Sequence, residues 1–260
     1  MRIATWNVNS IRAHFDQVTE WLKEHQPDVL CLQEIKCEDA GFPSAAFEDL
    51  GYTCATHGQK TYNGVAILSK LAMEDVQRGL PGDDTDEQSR FIAATIVDGT
   101  FACRVVCLYL PNGNPAPGPK YDYKLGWMKR LEVYATEQLK FEEPLVLAGD
   151  YNVIPTSIDA RHPQHWLNDA LFRPETRAAF QRLLNLGLTE SFRSLHPAQA
   201  DSYSFWDYQA GAWPKNNGIR IDHLLLSPQA ADHLVGATIH KRARGHEKPS
   251  DHVPVEIELK

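Results

Sequence analysis

The stretch Leu145-Val146-Leu147-Ala148-Gly149-Asp150-Tyr151-Asn152 is a short apolar run that stops abruptly in a carboxylate and an amide. An apolar run this short, bounded by glycine, predicts a strand buried on both faces rather than a helix. The same grammar recurs at Trp6-Asn7, Gln33-Glu34, Leu108-Tyr109, Arg220-Ile221-Asp222-His223 and Ser250-Asp251-His252. Any one of these is an ordinary strand end, because turns favour Asn and Asp. Several together point elsewhere: strand ends on one side of a sheet converge on a single cleft.

Outward from that stretch, strands are expected at Ile3–Val8, Asp28–Glu34, Tyr52–Thr56, Gly64–Leu68, Phe91–Val97, Phe101–Leu110, Ile221–Leu226 and Val255–Leu259. Ile11, Phe15, Val18 and Leu22 recur at helical spacing before Pro27, with Ser10 as the expected N-cap. Further helices are expected over Lys120–Leu139, carried by Leu125, Met128, Leu131, Val133 and Leu139, and over Pro174–Leu186. No linker or repeat divides the chain, so residues 1–260 are expected to form one domain. Many strands with interspersed helices favour α/β architecture, two packed sheets with helices outside.

Composition narrows the class. No apolar run approaches the ~18 residues of a membrane span, and the N-terminus lacks the apolar core of a signal peptide. The five cysteines include no Cys-x-x-Cys pair and read as reduced thiols, which predicts a cytoplasmic protein. A net charge of −8 argues against a general nucleic-acid coat. A net-acidic enzyme still binds a polyanion when its acids surround a metal and its bases line the rim. Lys241, Arg242 and Arg244 form one basic island, read first as a solvated face.

The residues at the strand ends specify a chemistry. Glu34, Asp150, Asp222 and Asp251 supply carboxylates, Asn7 and Asn152 amides, Tyr109 a phenol and His252 an imidazole. Oxygen-rich donors without thiolates suit a hard cation, Mg²⁺ or Mn²⁺, rather than zinc. A carboxylate-bound Mg²⁺ with a histidine and a base is equipment for hydrolysing a phosphate ester. Other histidines lie outside these clusters. His14, His25, His57, His196 and His233 are expected at the surface, His162 and His165 in a loop, and His223 on the face opposite Asp222.

Trp6-Asn7, Leu32-Gln33-Glu34-Ile35-Lys36, Tyr109-Leu110-Pro111-Asn112, Gly149-Asp150-Tyr151-Asn152, Ser204-Phe205-Trp206-Asp207-Tyr208, Arg220-Ile221-Asp222 and Ser250-Asp251-His252 occur in that order. In this the chain resembles the exonuclease III and abasic-endonuclease family of the endonuclease/exonuclease/phosphatase superfamily, over nearly its whole length. The resemblance implies a four-layered α/β sandwich, two β-sheets face to face with flanking helices. It also implies DNA-repair activity on double-stranded DNA: cleavage at abasic sites, 3′→5′ exonuclease action and removal of blocking groups from 3′ ends.

By the same resemblance Glu34 is the principal metal carboxylate. Asn7, Asp251, Asp150, Asn152 and His252 are candidate ligands or neighbours of one or two ions. Asp150 orients and deprotonates water, Asn152 and Tyr109 stabilise charge, and His252, fixed by Asp222, meets the phosphate. Asn112, Phe205, Trp206, Ile219 and Ile221 form the substrate pocket. One departure stands out: where relatives place Gly or Ser before a Phe, this chain has Leu171, with the acidic Asp169 nearby. It predicts that 3′-end processing dominates over abasic cleavage. The competing reading is a superfamily phosphoesterase for a small phosphoester or phospholipid head group, since fold does not dictate function.

Overall fold

The computed structural model describes residues 1–260. In chain order the elements are β1 (Arg2–Asn7), α1 (Phe15–His25), β2 (Val29–Gln33), α2 (Ser44–Glu48), β3 (Thr53–His57), β4 (Val65–Ser69), β5 (Ala72–Arg78) and β6 (Phe91–Asp98). They continue with β7 (Phe101–Tyr109), α3 (Pro119–Leu139), β8 (Leu145–Asp150), α4 (Pro174–Asn185), β9 (Thr189–Glu190), α5 (Ser191–Leu195), β10 (Asp222–Leu226), α6 (Pro228–Ala231), β11 (Leu234–Ile239) and β12 (Val255–Leu259).

Two six-stranded sheets result, ordered β11-β12-β1-β2-β4-β3 and β5-β6-β7-β8-β10-β9. Each is built around one parallel pair, β1 with β2 and β7 with β8, and every other pairing is antiparallel. A parallel pair needs a crossover, which α1 and α3 provide. The β7–β8 pair comes so close that a Cβ on Gly149 would sit 1.9 Å from the Leu108 carbonyl oxygen, so only glycine fits.

The layers follow from alternation within strands that are apolar on both faces. Ile3, Val29, Cys31, Val65 and Ile67 point inward and meet Val105, Cys107, Val146 and Leu224 of the other sheet in one core. Ala4, Trp6, Leu30 and Leu32 point outward, against Val18, Trp21 and Leu22 of α1. Val106, Leu108, Leu145 and Leu147 face α3 and α4 on the opposite side. The expected four-layered sandwich is thus formed, and burying each such side chain contributes roughly 1.5–3 kcal/mol.

The structure corrects several local expectations. Ser10 does not cap α1, which starts at Phe15. The Ser10 and Ile11 amides instead donate to the Glu34 and Ile35 carbonyls, which holds this backbone beside the loop after β2. In α3 the buried stripe is Tyr121, Lys124, Trp127, Met128, Leu131, Tyr134 and Ala135, whereas Val133 is exposed. β5 and β11 were not anticipated. Both are sheet edges with mostly exposed or half-buried residues, so the apolar pattern that marks a central strand is missing. No helix is long and apolar enough to cross a membrane.

Candidate active site

Both parallel pairs end on the same side of the sandwich. Asn7 pairs with Gln33 at the ends of β1 and β2, and Tyr109 pairs with Asp150 at the ends of β7 and β8. Antiparallel β10 starts there, with Asp222 opposite Asp150. The ends open on a cleft of about 390 Å³ lined by Glu34, Tyr109, Asn112, Asp150, Asn152, Phe205, Ile221, Asp251 and His252. Asn114, Trp166, Asp169, Leu171 and Asp207 complete the wall. The sequence marks Asp207 only as a member of the Ser204–Tyr208 motif and gives no sign of Asn114 or Trp166, which sit in loops without any periodic signal.

At the floor, His252 Nδ1 lies 2.9 Å from an Asp222 oxygen and Nε2 lies 3.8 Å from Asp150 Oδ2. Asn7 Nδ2 donates to both Glu34 Oε1 (2.8 Å) and Asp150 Oδ2 (2.9 Å), tying the two sheets together through one amide. Lys36 Nζ stands 3.0 Å from Glu34 Oε2. Glu34 and Asn152 both have positive φ, 51° and 48°, a left-handed backbone that non-glycine residues rarely adopt. Such outliers persist where the surroundings impose them, often at functional sites.

The scaffold holds these groups through its core. Trp6, wholly buried, donates its indole N–H to the His252 carbonyl (3.1 Å). Ser250 Oγ donates to the Asn7 carbonyl (2.8 Å), and Ser204 Oγ accepts from the Ile221 and Asp222 amides. The Phe205 ring meets the His252 ring edge-on at 4.9 Å.

Charge is unbalanced here. Burial pushes Asp150 up to about 7, opposed by His252 and reinforced by Asp222. Burial alone would push His252 down, but the Asp222 and Asp150 carboxylates outweigh it and hold the imidazole up at about 10. Glu34 goes the other way: burial would raise it, yet the Asn7 amide and Lys36 together bring it below its ordinary value. Burial, with Glu34 and Asp150 nearby, pushes Tyr109 well above the ordinary phenol range, so it stands as a neutral donor.

Not every candidate reaches the cleft. Trp206 is wholly buried, its ring against Trp213 and Tyr203 and its N–H on Asn216, so it belongs to the core. Ile219 is buried behind Phe205, to which it is bridged by backbone hydrogen bonds, while Ile221 does line the cleft. His252 has Nδ1 on Asp222, which leaves Nε2 facing Asp150 and the cleft. Leu171 is only 4% exposed and packs with Phe172, Ile219 and Ile221, yet its edge lines the cleft. Arg244 is buried against the Trp206 carbonyl, whereas Lys241 and Arg242 are exposed. His14, His25, His57, His196 and His233 are half-buried rather than freely exposed.

The chain as a whole matches a known family. The Endonuclease/Exonuclease/phosphatase family model matches residues 4–252. The chain is 36% identical over 267 aligned residues to exodeoxyribonuclease III of Haemophilus influenzae, covering all of both proteins. The chain belongs to the exonuclease III and AP endonuclease branch of this family. Two solved structures share its fold throughout. One is a 3′ phosphatase, NExo, from Neisseria, bound to product DNA hairpin (40% identity, TM-score 0.96, 100% of this chain and 99% of that one). The other is an AP endonuclease from Archaeoglobus fulgidus (38% identity, TM-score 0.93, 100% and 99%). Nucleases of this family depend on a divalent metal, and the all-oxygen donors Glu34, Asp150 and Asp251 fit a hard cation. The Asp150, Asp222 and His252 ligand atoms also lie within 4.8 Å of one another. Asp222 on Nδ1 of His252 fixes the ring's orientation, and Nε2 is the nitrogen that faces the cleft.

Proposed function

We propose that this protein is a DNA-repair nuclease that hydrolyses phosphodiesters of double-stranded DNA, with Mg²⁺ as its ion and Mn²⁺ accepted. One observation carries the reading: a histidine held between Asp222 and Asp150 at the floor of a cleft that Glu34 and Asp251 make acid-rich. Glu34, with Asp251 and Asp150, would hold one or two cations, which would supply charge neutralisation for the leaving 3′ oxygen.

The chain's own residues do the rest. Asp150 takes a proton from the attacking water, a task its raised pKa suits. His252, kept protonated and oriented by Asp222, donates to a phosphate oxygen. Tyr109 and Asn152 donate where negative charge develops. Phe205 and Ile221 pack against the sugar, and Asn112 meets the phosphate beside it.

The substrates we favour are recessed and phosphate-blocked 3′ ends, with abasic sites third. Leu171 and Asp169 both border the cleft, and each disfavours an extra-helical sugar-phosphate, one by bulk and one by charge. We read residues 1–260 as one domain acting as a cytoplasmic monomer, since a single core is shared by both sheets and all cysteines are free. The test is a side-by-side assay with and without EDTA on three duplexes, carrying a recessed 3′ end, a 3′-phosphate and an abasic analogue. Cleavage of small phosphoesters with none of the duplexes touched favours the phosphoesterase reading instead.

A further inference from the structure

Lys124 lies in the second turn of α3 at a position where the helix otherwise presents apolar and aromatic side chains to the core. It is wholly buried. Its Nζ donates to two main-chain carbonyls, Asn152 (2.6 Å) and Asn112 (3.1 Å). These belong to the loops that follow β8 and β7, the two halves of the parallel pair. On the cleft side the same two residues meet again: Asn112 Nδ2 donates to Asn152 Oδ1 (3.2 Å), while Asn152 Nδ2 donates to the Leu110 carbonyl (2.9 Å). The lysine thus closes a ring of hydrogen bonds from behind.

The chain is also shaped to admit this lysine. Gly113 has φ +89°, and a Cβ there would stand 2.6 Å from Lys124 Cδ. Burying an ammonium is costly unless its partners compensate, and a methionine would fill the same volume without that cost. Packing alone therefore does not account for the lysine. Its reach to both loops does.

We propose that Lys124 is a positioning residue of the reaction: by clamping the main chains of Asn112 and Asn152 together, it sets the spacing of the two amides that meet the scissile phosphate. This rests on the nuclease reading above. The amides lie on separate loops, which are joined at their roots by the Leu110 N–H donating to the Asp150 carbonyl (2.8 Å). Beyond that root, Lys124 alone bonds the Asn112 and Asn152 carbonyls to one group. Without the clamp the outer parts of the two loops shift relative to each other. A misplacement of about 1 Å can cost about 10²-fold in rate.

The test is a double-mutant cycle on the full chain with Mg²⁺ and a recessed 3′-end duplex. Lys124→Met is expected to lower kcat about 10–10²-fold, with KM changed far less. In an Asn152→Ala background the same substitution should lower kcat little further, because the group it positions is gone. Losses that multiply in full, or an unchanged kcat in Lys124→Met, overturn the proposal. Gly113→Ala provides a second route if Lys124→Met lacks a cooperative melt, since it displaces the lysine stem while keeping the charge. It should show the same kcat-selective loss, again largely absent beside Asn152→Ala, and full multiplication there overturns the proposal equally. Wild-type protein that cleaves no DNA overturns the nuclease reading itself, whereas active wild type with an uncoupled cycle overturns only the role of Lys124.

Discussion

Arg220 and Asp222 stand two residues apart, yet they belong to opposite kinds of charge cluster. Arg220 donates to Asp159 Oδ1 (2.8 Å) and Glu190 Oε1 (2.8 Å), and Arg193 reaches Asp159 as well (2.7 Å). Two carboxylates meet two guanidiniums, and His223 completes the group with Nδ1 on Arg220 (3.1 Å) while its Nε2 is held by the Val153 carbonyl (2.9 Å). Around Asp222 the balance differs. Glu34, Asp150, Asp222 and Asp251, with Asp169 and Asp207 on the wall, outnumber the nearby cations Lys36 and the His252 imidazolium.

The acids report the contrast. In the closed cluster burial would raise Glu190, but Arg220 and His223 overcome it and hold the carboxyl at about 2. In the open one Asp150 is driven up to about 7. A balanced cluster fixes the strand edge, whereas an unbalanced one at a cleft waits for a cation and a substrate.

Substitutions on each side should separate stability from turnover. The largest effect is expected for Asp150→Asn, which keeps shape and removes the base. Turnover should fall by about 10²–10⁴ while DNA affinity holds. A matching loss of affinity in a binding titration would reassign Asp150 to substrate binding.

Arg220→Met should do the reverse, lowering stability by about 3–5 kcal/mol because it leaves the buried Glu190 without its guanidinium and Asp159 with Arg193 alone. Glu190 also sets an acid limit. Its folded value lies below the ordinary 4.5, so its contribution is intact above that pH and fades as pH falls toward about 2. Thermal melts between pH 6 and 2 should show this loss in the wild type and a flatter profile in Arg220→Met. An unchanged melting temperature in the variant would dissolve the distinction between the clusters.

Glu34→Gln should weaken metal binding by about 10–10²-fold, on the scale seen when groups around a metal site are altered, with partial rescue at high Mg²⁺. Full activity at low Mg²⁺ would remove Glu34 from the metal site. The smallest effect belongs to Leu171→Gly, which should raise abasic cleavage relative to 3′-end cleavage a few-fold at some cost in stability. Abasic cleavage already vigorous in the wild type, or unmoved by the change, ends the steric argument.

Much of this contrast was legible before the fold. Glu34, Tyr109 and Asp150 announce themselves because each ends an apolar run, and Asp222, Asp251 and His252 because each stands just ahead of one. The ion cluster around Arg220 gave no such sign. Asp159 lies on a loop and Glu190 on a two-residue strand, separated from Arg220 by 61 and 30 positions. Trp206 misled for a related reason: it adjoins Phe205, and only the packing of Trp213 and Tyr203 shows that neighbours in sequence face opposite ways.

By itself the sequence determined the layered α/β class, the strand ends that carry the chemistry and the hard-cation character of their donors. Those properties are local: an apolar run, its length and the residue that ends it. Which side chains meet was decided by the tertiary structure. The single amide of Asn7 bridges Glu34 and Asp150, 27 and 143 positions away, because the two parallel pairs end side by side. Lys124 became the clamp behind two loops, although its place on the buried stripe of α3 is that of an ordinary core residue. Pairing across sheets depends on register and layer contacts, and a chain's local pattern carries no record of either.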